Sequence, residues 1–401
     1  MRIAITGGYV VPVDGEPIEG ATVLVEGGVI TALGADLTVP EDAEIVDAQG
    51  FWVLPGFVEA HGHIGVWEEG DGWAGDDVNE MTDPNGAALR ALDAVNPDDE
   101  GFRDALAGGV TTAVIKPGSG NPIGGQTAAL KCWGATVDEM LVRQPVSIKS
   151  ALGENPKRIY GEQKKLPSTR LGVAAVIRKA LLAARDYGER KAAAARESEP
   201  FQHDLGNEAL LSVLNREIPW CQHTHRADDI ATAIRLAEEF GYRLVVNHGT
   251  EGHRIVDLLA DKDIPVIIGP LIVNRSKVEV RRRGLRNPGL LAKAGVRIAI
   301  TTDHPVVPID FLVHQATFAV KEGLDRETAL RAITLEPARI LGLDDRVGAL
   351  KPGLDADIVL WSGDPLDVMS RAHTVFVRGK RVYSFDEHTG KGVTVSPFHP
   401  D

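Results

Sequence analysis

Between residues 55 and 344 the chain alternates helix-patterned stretches with short β-branched runs, and few architectures accept that rhythm repeated so often. "DDIATAIRLAEEFG" leads into "YRLVVNHGT", "HRIVDLLADKD" into "IPVIIGP", and "PGLLAKAG" into "VRIAITTDHP". The endings "LAEEFG" and "LAKAG" carry glycine where a helix C-cap wants one. Strands are expected near Val58, Ala113, Ala129, Ile148, Cys221, Val245, Ile267 and Ala299. Eight such β–α units predict an α/β fold, a (β/α)8 TIM barrel.

Both ends of the chain read differently. "RIAITGGYVVPV" and "ATVLVEGGVITALG" at the start, and "DADIVLWSG" and "HTVFVRGKRVYS" at the finish, are short alternating strands without helix periodicity. Gly27 and Gly28 mark a hairpin turn. An insertion at about 153–208 separates the fourth and fifth predicted strands and holds a long Ala-rich, charged helix. Segments this long within a compact domain are usually functional or disordered.

Composition narrows the partners. A formal net charge of −14 repels DNA, RNA and anionic lipid alike, so neither nucleic acid nor a membrane surface is an expected partner. The basic run Arg281, Arg282, Arg283 reads as a solvated face. Cys132 and Cys221, the two cysteines, form no thiolate cluster and fit a reducing, cytoplasmic setting. No uncharged apolar run approaches the roughly 18 residues that a membrane helix needs.

Chemistry concentrates at strand ends. In "LPGFVEAHGHIG", His61 and His63 stand two residues apart at the end of an apolar strand and so share a face, a transition-metal half-site. Lys149 ends "PVSIK", His223 and His225 end "PWCQHTH", His248 ends "RLVVNH", and Asp303 ends "RIAITTD". In a barrel these carboxyl ends converge on one mouth, where the catalytic residues of that fold sit. Residues far apart in sequence thereby become neighbours around a candidate metal.

This ordered set resembles the amidohydrolase superfamily, in the branch of imidazolonepropionase-related hydrolases and metal-dependent prolidases. The resemblance runs from "PGFVEAHGHIG" through "GVTTAV", the later histidines and "TTDHP" to the tail "PARILGLDDRVGALKPGLDADIVLWSGDP". It implies a small β-sandwich domain made by 1–54 with 345–401 beside a barrel of 55–344. It also implies that His61, His63 and Asp303 hold one metal and that His223 and His248 hold a second, bridged by a carboxylated Lys149. Glu154 is the alternative oxygen ligand. Either His223 or His225 serves as ligand: the resemblance favours His223, leaving His225 to face substrate. In single-metal relatives the residue at the position of His248 acts as acid or base.

A divalent cation, Zn2+ by preference with Mn2+, Fe2+ or Co2+ as alternatives, lowers the pKa of bound water from about 15.7 toward about 7. Asp303 then takes the proton and returns it to the leaving amine, and His304 orients Asp303 or stabilises the oxyanion, or merely caps its loop. The expected reaction is hydrolysis of a C–N bond in a small amide, cyclic amide or dipeptide. The alternatives are a hydrolytic deaminase of an amidine-like ring and a non-catalytic homologue. Gln126, Arg170, Tyr160 and Arg226 are candidate substrate contacts, with Arg170 able to clamp a carboxylate. The acidic stretch "WEEGDGWAGDDVNEMTDP" favours a cationic substrate instead, leaving the charge of the substrate open. A homo-oligomer is expected.

Overall fold

The computed structural model describes residues 2–398. Five strands open the chain: β1 (Arg2–Val10), β2 (Ile18–Glu26), β3 (Val29–Gly34), β4 (Glu44–Asp47) and β5 (Trp52–Pro55). The middle supplies β6 (Phe57–Gly62), β7 (Val110–Ile115), β8 (Ile123–Gln126), β9 (Ala128–Lys131), β10 (Leu141–Arg143), β11 (Ile148–Ala151), β12 (Trp220–Thr224), β13 (Leu244–His248), β14 (Val266–Ile268) and β15 (Ile298–Ile300). The last four are β16 (Ile358–Trp361), β17 (Ala372–Val377), β18 (Lys380–Asp386) and β19 (Lys391–Thr394).

The two ends of the chain share one nine-stranded sheet, ordered β19-β18-β17-β16-β5-β1-β2-β3, with β4 also pairing with β1. Its seam is the antiparallel pair β5–β16, in register from Trp52 opposite Trp361 to Pro55 opposite Ile358. The β2–β3 hairpin closes through Gly27 and Gly28, both at positive φ, as the two-residue primed turn requires. A separate apolar cluster, including Ile5, Val23, Val53, Ile358 and Phe376, fills this part of the molecule. Gly56 then carries the chain into β6. A Cβ there would lie 2.0 Å from Thr111 Oγ1, so no larger residue fits the crossing.

The middle of the chain is α/β. The run β11-β12-β13-β14-β15 is parallel throughout, and β6 pairs in parallel with β7. The strand centred on Ala129 departs from expectation: β9 runs antiparallel to β7, and β8 antiparallel to β11. β8 and β9 are separated only by Thr127, whose backbone bonds to Ser147 and Val146, so one extended stretch joins the two sheets. The cause is the connection. A parallel crossover needs a dozen or more residues, and only residues 116–122 separate β7 from β8. Between β6 and β15 the backbone of Ala332 and Ile333 intervenes, accepting from Ile300 N and donating nothing to a ladder, while Val58 N donates to Ile333 O.

One buried cluster takes Val58, Val114, Ala129, Cys221, Val245, Ile267 and Ala299, each from a different strand, together with Leu341 from the helix Leu335–Leu341. The strands therefore face a common interior. The insertion is helical: Glu154–Glu162, the 28-residue Arg170–Glu197, and Leu205–Leu214. Thr169 caps the long helix by accepting from Gly172 N, and Val173, Ile177, Leu181 and Ala184 form its buried stripe. Among the described residues no helix is long and apolar enough to cross a membrane.

Candidate metal centre

His61 and His63 reach the interior by way of a backbone irregularity. Val58 and Ala60 point into the central cluster. The β6–β7 register then slips between Glu59 and Gly62, and this extra residue turns the odd-numbered His61 and His63 to the same side. His63 Nδ1 lies 2.7 Å from Lys116 O, a contact in which the ring nitrogen donates, leaving Nε2 to face the cavity. Across the strands, Asp303 Oδ1 lies 2.9 Å from His61 Nε2 and 3.4 Å from His63 Nε2.

A second imidazole set stands beside the first. Ligand atoms of His223, His225 and His248 fall within 4.8 Å of one another, as do those of His61, His63 and Asp303. The two groups meet where the His61 and His248 rings approach to 5.0 Å. His248 Nδ1 donates to Gly269 O at 2.8 Å, and His225 Nδ1 is 2.8 Å from Thr250 Oγ1, so the Nε2 atoms are left free. His248 and Asp303 both hold positive φ, 70° and 56°. Such a conformation costs a non-glycine residue about 1–3 kcal/mol and is found where a side chain must be aimed.

Burial keeps the imidazoles of His61, His223 and His248 well below the usual histidine range, and holds His225 down at about 4. They are therefore neutral imidazoles, each able to offer a ring lone pair to a cation. Burial would raise Asp303, but His248, His63 and Lys149 outweigh it and leave a carboxylate well below its usual range. Lys149 is buried on β11, its Nζ donating to Pro117 O at 3.1 Å, and burial lowers its amine to about 7. The buried Nε2 atoms of His61 and His223 have no hydrogen-bond partner among the described residues. His61 Nε2 is thus close to Asp303 Oδ1 without hydrogen-bond alignment, the relation that two donors to one cation would have. Neutral nitrogens, a carboxylate and orphaned buried lone pairs fit a divalent metal such as zinc.

These groups open into a cavity of about 380 Å3. It is lined by His61, His63, Lys149, His223, His248 and Asp303, and also by His225, which joins the imidazole set instead of standing apart toward substrate. Other expected contacts lie elsewhere. Arg170 is committed to Asp229 at 3.0 Å and Arg226 to Asp228 at 2.7 Å, both acids lying in the first turn of the helix Ala227–Phe240. Tyr160 is fully buried, donating to Asn121 Oδ1, and Gln126 donates to Ala87 O. Glu154 contributes its backbone N–H to Glu279 Oε2 at 3.1 Å, and its side chain does not line the cavity. The His304 ring is fully buried with both nitrogens unpartnered, packed over Gly101 and 4.0 Å from Glu69 Oε1, away from the cavity wall.

Two carboxylates were missed. Glu279, almost fully buried, places Oε1 3.9 Å from Nε2 of both His223 and His225. It sits next to a basic run, where its sequence neighbours disguise it. Glu59 lies beneath the site, accepting from Thr301 Oγ1, Thr302 N and His61 N, and so ties β6 to the segment that presents Asp303. A lone acid in the apolar run "FVEAH" was the available signal.

The sequence pattern of the amidohydrolase family matches residues 183–383. A crystal structure of an amidohydrolase from Thermotoga maritima MSB8 superimposes with a TM-score of 0.93 at 46% identity, covering 95% of this chain and 100% of that one. The chain belongs to the amidohydrolase family. Members of this family are hydrolases acting on C–N bonds. Among named relatives, amidohydrolase tasK of Hapsidospora irregularis is 29% identical over 89% of this chain, which spans 39% of that protein's length. An imidazolonepropionase from Cupriavidus pinatubonensis is 25% identical, covering 86% of this chain and 84% of the relative. A prolidase complexed with N-methylphosphonate-L-proline shares the fold, with a TM-score of 0.63 at 20% identity over 95% of this chain and 99% of that one.

Proposed function

We propose that this chain is a metal-dependent amidohydrolase that cleaves a C–N bond in a small amide, cyclic amide or dipeptide. The observation that carries the reading is the meeting of His61, His63, His223, His225 and His248 with Asp303 and Lys149 around one cavity. We read the curved strands as a distorted (β/α)8 barrel with the terminal sheet as its companion domain. His61, His63 and Asp303 would hold one divalent ion, most simply Zn2+, and His223, His225 and His248 a second. A bound divalent cation supplies Lewis acidity and makes a coordinated water more acidic.

The protein's own groups do the rest. Asp303, ionised at neutral pH, accepts the proton of the attacking water at its free carboxylate oxygen and returns it to the leaving nitrogen. Lys149, with its amine lowered to about 7, is partly uncharged at neutral pH, the state that reacts with carbon dioxide to give a carbamate. Carboxylated in this way it would offer an oxygen between the two ion sites. The free, buried Cys132 and Cys221 are compatible with a reducing cytoplasm, and a homo-oligomer is our reading of the assembly.

The test is metal analysis of the purified protein together with turnover of amides, lactams and dipeptides. One to two equivalents of metal and release of a carboxylic acid support the reading. Ammonia release from an amidine-like ring would make the enzyme a deaminase, and well under one equivalent of metal without turnover would make it a non-catalytic homologue.

A further inference from the structure

The cavity wall carries a charge pattern unlike the rest of the molecule. Its cationic side chains are Lys149 at the metal centre and, away from it, Arg158, Lys277 and Arg283, whereas Asp303 is the sole carboxylate among the described lining residues. The chain as a whole has a net charge of −14, and its other arginines commonly find acids: Arg170 with Asp229, Arg226 with Asp228, Arg282 with Glu251. Arg158, Lys277 and Arg283 make no such pair among the described residues.

Their existing partners are neutral. Lys277 Nζ donates to Asn155 Oδ1 at 2.8 Å, and Arg283 Nη1 reaches Leu271 O at 3.4 Å. Arg283 Nε is buried and has no partner among the described residues. Burial, and then Arg275 beside it, disfavours the charged form of Arg283. A buried donor left unpaired costs about 1–3 kcal/mol, and more when it is charged, so an anionic occupant would relieve what the protein leaves unsatisfied.

The acidic stretch after β6 does not counter this charge. It contributes Trp67, Val78 and Asn79 to the wall, while its aspartates and glutamates stay off it.

We infer that Lys277, Arg283 and Arg158 form a subsite for a carboxylate carried by the substrate, so that the amide cleaved at the metal centre belongs to an acidic molecule such as an N-acyl amino acid or a dipeptide with a free carboxyl end. This rests on the hydrolase reading above and adds the substrate class. The guanidinium fork of Arg283 takes the planar carboxylate, the Lys277 ammonium approaches from the side of His223 and His225, and exposed Arg158 draws the anion into the mouth.

The experiment is a matched series: N-acetyl amino acids and dipeptides, each against its C-terminal amide, followed by titration calorimetry on the metal-loaded protein and by turnover. The free acids are expected to bind at least about tenfold more tightly than the amides. Lys277→Met combined with Arg283→Met should abolish that preference, the acids losing about tenfold or more in affinity and the amides far less. Arg158→Met, at an exposed position that does not bear on folding, should weaken the acids severalfold, with the loss greatest at low salt. Equal binding of acids and amides, a preference that survives the double replacement, or no binding of any acid would overturn the inference. Preferential binding of acids without turnover of any C–N bond would keep the subsite and sink the hydrolase reading. Turnover with preference for the amides would do the reverse.

Discussion

Asp303 has to be close to two imidazoles and ionised at once, and its surroundings provide both conditions. The positive φ at Asp303 aims the carboxylate back across the strand ends, and the contacts of Glu59 with Thr301 and Thr302 hold the segment that presents it. Asp303→Asn keeps the shape but loses a proton acceptor. Its kcat is expected to fall about 10²–10⁴-fold with at least one ion retained, read by steady-state kinetics beside metal analysis; undiminished kcat would remove Asp303 from proton transfer. Lys149→Ala should lose the second ion and recover part of its activity with added short carboxylic acids. An unchanged metal count in that variant would hand the oxygen ligand to Glu279, which already faces His223 and His225. At this scale the cluster of His61, His63, His223, His225, His248 and Asp303 was legible because histidines at strand ends carry their own signature. Glu279 was not, because its role depends on a loop folding back by an amount that no local pattern encodes.

Elements were legible where periodicity sets them and illegible where direction or distant pairing does. Ala129 lies in a strand as its apolar run implies, yet the run is antiparallel to both neighbours, since alternation is the same in either direction. Arg170 begins a helix as its position after Thr169 implies, but Asp229, 59 positions away, takes its charge. The insertion follows the same logic. Its long helix is held against Leu205–Leu214 by Glu208, which accepts from Lys191 Nζ and Tyr187 Oη. The Lys191 hydrogen bond first, then that of Tyr187, brings the Glu208 carboxyl down to about 2 from an ordinary 4.5. A depressed folded pKa means stabilisation that is complete above about 4.5 and lost as the pH falls toward 2. Glu208→Gln should therefore lower Tm at pH 7, by the equivalent of about 1 kcal/mol or less for so exposed a pair, and the gap to the parent should close as melts are repeated down to pH 2.5. A gap independent of pH would mean that Glu208 acts through packing alone.

For the whole molecule, the question is what couples the terminal sheet to the α/β region that carries the site. The answer centres on Lys131, a fully buried cation at the end of β9 that meets Asp355 at 2.8 Å and Asp357 at 2.6 Å, just before β16. Asp355 is also held by Arg346 at 2.9 Å, and Asp357 accepts from Arg378 N and from Thr111 Oγ1 beside Gly56. Removing one member of a buried pair strands the charge of the other, at about 3–5 kcal/mol, whereas removing both charges together leaves less to compensate. Lys131→Met should accordingly lower stability by about that amount in urea unfolding, and a second change, Asp357→Asn, should restore part of the loss. Because β9 belongs to the same extended stretch that flanks β11, which carries Lys149, the single variant should also release metal at lower urea than the parent does. Two separate unfolding steps, with the metal retained through the first, would show instead that the sheet and the metal centre are energetically independent and that Lys131 stabilises only the junction.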